Sequence, residues 1–350
     1  MRGWRRRASG LAVGLAVLGG VIPACSGDER FPQAERGKVI ELFDAAEIEI
    51  DFIPEREYLS ALAVAADGTV HLGVAPKQER LEDGKLFQNF DKGRLVTLPR
   101  SGKPTIDSGG TTTALALSAD GTLYQAVTGS RRETLRFVRG DIDGAILEYG
   151  TPLALGGVPN PPGLNRTLVG IAVDERSGDL YLADAHKIDR IDRLGRATTV
   201  TGSRRGEAEP KPPDNPDAGL AGYQFNSIAG IGYQPSSGAL WIADGQLYTV
   251  RPLKPASGRM VSARFGEKPE DVEGGFGRRG VAVDPKTGTV YGISQDDQRI
   301  IVNGDEDESD IKAPKRMLEA VARLTMGADG NLYLWGSRKV HVLGLPAEGG

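Results

Sequence analysis

The chain has 350 residues, with 43 Lys and Arg against 47 Asp and Glu, for a net charge of −4. That balance excludes a general electrostatic attraction to nucleic acid, and a single cysteine excludes a disulfide framework within the chain. With 48 Gly and 21 Pro, about a fifth of the residues break helices or set turns, which points to many strands and tight connections.

The chain opens with the three-part layout of a secretory signal. Arg2, Arg5, Arg6 and Arg7 form a basic head, an apolar stretch runs from Leu11 to Val21, and small residues precede a cut. The stretch is short and Gly-rich for a spanning helix. The string Val21-Ile22-Pro23-Ala24-Cys25 resembles a bacterial lipobox. The resemblance implies that the Cys25 thiol receives a diacylglycerol, and that cleavage then makes Cys25 the first residue. A plain signal peptide, or an anchor with an incidental cysteine, is the competing reading. The Sec and twin-arginine routes both stay open. Loss of residues 1–24 removes four Arg and no acid, taking the net charge from −4 to −8. Residues 25–37 then read as a polar, lipid-anchored tether and 38–350 as one folded domain outside the cytoplasm, attached to the cell membrane.

After the tether one phrase recurs six times. It reads ALAVAADGTVHL at 61–72, ALALSADGTLYQ at 114–125 and GIAVDERSGDLYLAD at 170–184. It returns as GIGYQPSSGALWIAD at 230–244, GVAVDPKTGTVYGIS at 280–294 and RLTMGADGNLYLWG at 323–336. Each copy is an alternating strand, a turn holding Gly, and a second alternating strand. Asp-Gly, Ser-Gly and Thr-Gly at Gly68, Gly121, Gly178, Gly238, Gly288 and Gly330 suit turns that need positive φ. Further strand-like runs, such as Arg94–Leu98, Ile146–Tyr149 and Arg196–Val200, bring each repeat to about four strands. The expected fold is all-β: a six-bladed β-propeller of four-stranded blades.

In the first strand of each copy, small residues alternate with large ones. Ala61, Ala114, Gly170, Gly230 and Gly280 come first, and Ala63, Ala116, Ala172, Gly232 and Ala282 stand two residues later. Leu62, Leu115, Ile171, Ile231, Val281 and Leu324 sit on the opposite side. Alternation puts the small residues on one face and the large ones on the other. The small face lets inner strands crowd around an axis, and the large face fills the gap between blades. Arg323 breaks the rule and marks a candidate seam. The last copy has only three strands, so an N-terminal strand should complete it, either Lys38–Phe43 or, preferably, Glu47–Ile53. Such closure removes an exposed edge.

The copy IAVDERSGDLYLADAHKIDRID, and the stretch from Thr198 to Val250 with its T-G turn and Gly/Pro/Asp-rich loop, resemble NHL repeats. The resemblance covers about 45–346 and is strongest in the third to fifth copies. It implies a six-bladed propeller and no particular function, because one fold hosts many activities.

Long insertions at 76–92, 202–227 and 266–279 fall on the loops expected around one mouth of the channel. Gluconolactonase-like propellers place Glu, Asn and Asp there, as oxygen ligands for a hard cation. The matching positions here are Ser60, Thr113, Val169, Ala229, Arg279 and Ala322, none of them a carboxylate or an amide. No metal or cofactor is therefore expected. His71, His186 and His341 belong to different copies and read as structural. Asp174, Asp184, Asp244 and Asp284 read as caps of turns. Candidate ligand-binding residues are Arg278 and Arg279, which could hold a carboxylate or phosphate, with Tyr223, Asn226 and Phe90 on the long loops. These features lead to a monomeric, membrane-anchored binding module for a protein or cell-envelope ligand. The alternative is a propeller hydrolase or lyase with a non-standard site.

Overall fold

The computed structural model describes residues 30–34, 36–80, 82, 86–129, 132–140, 142–150, 168–202, 225, 228–244, 249–254, 259–260, 280–294, 299–302, 311–312, 317–318 and 321–345. Strand β1 (Val39–Asp44) comes first. Strands β2 (Glu57–Val64) and β3 (Val70–Pro76) follow, then a small hairpin of β4 (Glu79–Arg80) and β5 (Leu86–Phe87), then β6 (Arg94–Leu98) and β7 (Thr105–Asp107). The second group is β8 (Thr111–Leu117), β9 (Leu123–Thr128), β10 (Arg132–Arg139) and β11 (Ile142–Gly150). The third is β12 (Gly170–Asp174), β13 (Asp179–Ala183), β14 (Lys187–Ile191) and β15 (Ala197–Gly202). The fourth is β16 (Ile228–Gln234), β17 (Ala239–Asp244), β18 (Thr249–Lys254) and β19 (Arg259–Met260). The fifth is β20 (Ala282–Val283), β21 (Val290–Ser294), β22 (Arg299–Val302) and β23 (Ile311–Lys312). Last come β24 (Arg323–Met326), β25 (Leu332–Trp335) and β26 (Lys339–Leu343).

These strands form six four-stranded antiparallel sheets, in the orders β2-β3-β6-β7, β8 to β11, β12 to β15, β16 to β19, β20 to β23, and β24-β25-β26-β1. Their first strands neighbour one another in the cycle β2, β8, β12, β16, β20, β24 and back to β2. The fold is an all-β propeller with four-stranded blades. All six turn glycines take positive φ, from 64° to 84°, the region where a side chain is strained.

The core is divided among the spaces between blades. Ala114 and Ala126 of the second blade face Ile171, Leu180 and Leu182 of the third. Ala229 and Ala243 of the fourth face Val281, Val283 and Val290 of the fifth. The small side of each inner strand thus receives the large side of the next. Side chains such as Leu72, Leu182, Leu240 and Ile300 are fully buried, each stabilising the fold by roughly 1.5–3 kcal/mol relative to exposure.

The blade of β24 is completed from the N-terminus, by Val39–Asp44 rather than by the preferred Glu47–Ile53. Val39 pairs with Leu343 and Asp44 with Lys339. Both candidate segments alternate, but beyond Asp44 the chain must cross from the outer edge of one blade to the inner strand of the next. The Asp44 carboxylate accepts the Ala46 amide at 3.0 Å and turns the chain. Arg94 then holds the Ile50 and Asp51 carbonyls at 3.2 Å while pairing with Glu57.

Part of the segment 25–37 docks on the folded body. Phe31 is buried against Phe43, with ring centroids 5.3 Å apart. The Arg30 amide donates to the Arg100 carbonyl and the Gly37 amide to that of Gly344. Truncation of Phe43, which anchors both the arm and β1, should cost about 3–5 kcal/mol, the usual range for a buried aromatic. Chemical denaturation of Phe43→Ala measures it, and a loss below about 1 kcal/mol would contradict the closure described.

Histidines add a pH dependence. His71 shares a 3.0 Å hydrogen bond with the Thr97 hydroxyl. His341 lies opposite Glu41 across the β1/β26 seam. Burial lowers the pKa of both rings, and the Asp67 and Glu41 carboxylates oppose that only in part. The unfolded chain therefore binds more protons as pH falls through about 6.5, so stability present above that pH is lost toward the lower folded values. The melting temperature should fall between pH 7.5 and 5.5. The double variant His71→Gln, His341→Gln should flatten that slope, and an unchanged slope would refute the assignment.

Candidate functional site: the central channel

The inner strands surround a cavity of about 600 Å³ that runs from Val169, Ala229 and Arg323 to the hairpin turns at Ala66, Ala119, Pro235 and Pro285. Its width is set by glycine. A Cβ on Gly230 would lie 3.2 Å from the Gly280 Cα, and one on Gly280 would lie 3.3 Å from the Leu324 amide nitrogen. A Cβ on Gly232 would meet Val283 Cγ2 at 2.7 Å. Backbones approach this closely only where no side chain intervenes. Gly232→Val should therefore cost about 1–3 kcal/mol through overpacking, measurable by denaturant unfolding. A neutral result would mean that the fourth and fifth blades do not pack as described.

Arg323 stands where the other copies have Gly or Ala, in the blade that closes the ring. Its guanidinium donates to the Val169 carbonyl at 2.9 Å, across the channel and 154 residues away. The Val169 amide is already paired with the Ala183 carbonyl. The same guanidinium lies 5.6 Å from the centroid of Trp335, its cross-strand neighbour, within cation–π range. Trp335 in turn donates its indole N–H to the Thr325 hydroxyl at 3.0 Å. Desolvation lowers the Arg323 pKa, and the nearby Tyr58 opposes this. An arginine remains charged through such a shift. Arg323 thus lies at the closing interface, as the exception to the small-residue rule suggests, and it also spans the channel.

The interface between β24 and β2 differs from the others. Arg323, Thr325 and Trp335 stand where the other copies mostly have Gly or Ala, while Tyr333 matches the rings Tyr124, Tyr181, Trp241 and Tyr291. Backbone hydrogen bonds support this wider contact, from Leu59 to the Ser337 carbonyl and from Ala328 to the Val64 carbonyl.

At the loop-bearing end, Ser60 donates to the Thr112 carbonyl at 2.6 Å, and the buried Thr113 hydroxyl has no partner among the described residues. Gln88 donates to the Tyr58 hydroxyl and the Pro76 carbonyl at 3.1 and 2.7 Å. Phe90 is half-buried in a single 3₁₀ turn, where its carbonyl accepts the Thr111 hydroxyl at 2.7 Å. Among the described residues, Phe87 and Ile53 are exposed apolar side chains at this end, at 47% and 45% exposure. Sequence reasoning passed over both, although Phe87 lies inside the 76–92 insertion. Cys25, Tyr223, Asn226, Arg278 and Arg279 lie outside the described residues. The same holds for the Asp244 side chain.

Asp174 caps its turn through the Arg176 amide and Ser177 hydroxyl, at 3.0 and 2.7 Å. Asp184 accepts the His186 and Lys187 amides, both at 2.8 Å. Asp284 accepts the Lys286 amide at 2.8 Å. These carboxylates hold turns, as expected. His186 pairs through Nδ1 with the Phe225 carbonyl at 3.0 Å. Among the described residues, no three His, Cys, Asp or Glu side chains gather where a metal could be held.

No protein-family model matches the sequence, and no curated protein matches it. Solved structures do match. A selenomethionine-substituted virginiamycin B lyase from Staphylococcus aureus is 14% identical, with 88% of this chain and 99% of that chain covered and a TM-score of 0.51. A catalytically inactive form of that lyase with quinupristin gives a TM-score of 0.52 at the same identity and coverage. A gluconolactonase from Xanthomonas campestris is 14% identical, with 93% of this chain and 97% of that chain covered and a TM-score of 0.54. At such identities the likeness is one of fold.

Proposed function

We propose that the chain is an extracytoplasmic lipoprotein whose NHL-like, six-bladed propeller binds a protein or cell-envelope ligand on its loop-bearing face, with Cys25 as the lipid anchor. The observation that carries this reading is where the N-terminal arm docks. Arg30 bonds at Arg100, in the turn between β6 and β7, and Gly37 bonds at Gly344, just past β26. Both contacts lie at the end where the hairpin turns of the inner strands sit. The insertion at 76–92 joins strands at the opposite end, as do the connections that follow β15 and β19. Five residues of fully extended chain reach about 17 Å, so a lipid on Cys25 would hold the hairpin-turn end toward the membrane. The insertions, with exposed Ile53 and Phe87 beside them, would then face away from it, as an interaction surface requires.

Photocrosslinking amino acids placed singly at Phe87 and at Leu194, in the full chain expressed in a bacterial host, test this. Leu194 is exposed in the turn between β14 and β15, at the hairpin end. The expected result is a specific envelope adduct from position 87, and palmitate label that is lost in Cys25→Ala. An adduct from position 194 alone, or label that survives Cys25→Ala, would overturn the reading. Turnover of a lactone or lyase substrate by the purified chain would favour the hydrolase or lyase alternative.

A further inference from the structure

We propose that the central channel is a binding site for a small monocarboxylate with an apolar body, anchored by Arg323. The proposal holds whether or not the loop-bearing face engages a partner. Three observations carry it. First, the cavity of about 600 Å³ lies within the range of roughly 300–1,000 Å³ typical of small-molecule sites. Second, its walls near Arg323 come from Ala61, Leu115, Ile171, Ile231 and Val281, with Glu175, Asp284 and Lys286 at the far, hairpin-turn end, so the apolar body of such a ligand would lie against the aliphatic part. Third, one cation projects into this apolar space where the repeat otherwise supplies Gly or Ala.

A guanidinium presents five N–H donors in a planar fork. Here the described structure uses one of them on a carbonyl, Val169. Among the described residues no carboxylate pairs with Arg323. Arg323 is half-buried, its guanidinium is held by one carbonyl and one ring, and a bidentate carboxylate supplies further compensation for its charge. One guanidinium balances one negative charge. Among the described residues the walls offer no second cation beside it, so a monoanion fits this end better than a phosphate dianion. Lys286, which also lines the cavity, sits at the far, hairpin-turn end.

Thermal unfolding and calorimetry of the full chain in a nonionic detergent test the site. The probes are octanoate, 4-phenylbutyrate and N-acetyl-leucine, with 4-phenylbutanamide and inorganic phosphate as comparisons. At least one carboxylate should raise the midpoint in a saturable way, as a ligand of the native state must. The amide should give no shift, and phosphate a smaller one. Arg323→Met should weaken carboxylate binding at least tenfold. That variant should also keep a midpoint close to or above wild type, since an apolar replacement removes a half-buried charge. Arg323→Lys should bind at an intermediate level. If no carboxylate gives a shift that depends on Arg323, or if the amide binds equally well, the proposal fails. An equal response to phosphate would overturn the carboxylate class. A melting temperature lowered in Arg323→Met, with carboxylate binding unchanged, would make Arg323 a strut between opposite blades only.

Discussion

The structure depends on a steric complementarity between inner strands. Each presents small residues to one neighbour and large aliphatics to the other, so Ile231 packs toward Gly170, and Val283 toward Gly232. This is a local rule, written in one strand at a time, and it propagates around the ring. It sets how closely the blades approach, and so it also sets the bore of the channel. Burial follows from the same rule, because each space between blades is a separate hydrophobic cluster that neither blade could form alone.

A ring of this kind must close, and closure is where the rule stops. The last blade meets the first with Trp335, Thr325 and Arg323 where the other copies mostly have Gly or Ala. The N-terminal arm then covers the seam with Phe31, Phe43 and β1. Joining the chain ends in one sheet leaves no free edge at the seam. The wider interface has a chemical consequence as well. It admits a guanidinium into the end of the channel lined by Gly, Ala and aliphatic residues, where it reaches the opposite side of the ring. Asymmetry that serves closure thereby creates the most chemically distinctive position among the described residues.

Much of this was legible in the sequence, and the reasons are physical. The inner strands, the turn glycines and the two faces are consequences of short-range geometry, repeated often enough to be recognised. Arg323 stood out because it broke that repetition. Its partner Val169 did not, since a carbonyl 154 residues away carries no sequence signal. The closing strand was misplaced for a related reason. Val39–Asp44 and Glu47–Ile53 alternate alike, and the choice between them rests on the Asp44 cap and the Arg94 grip, both contacts that only the folded chain defines. The docking of Phe31 was masked by the polar composition around it.

Native-state hydrogen exchange, read by mass spectrometry on the full chain, tests the central claim that the ring depends on its N-terminal closure. If β1 completes a cooperative ring, amides of 39–44 should exchange as slowly as those of β9 and β13, through the same global opening. Rapid exchange of 39–44 while β9 and β13 remain protected would contradict the account, because the ring would then stand without its closing strand.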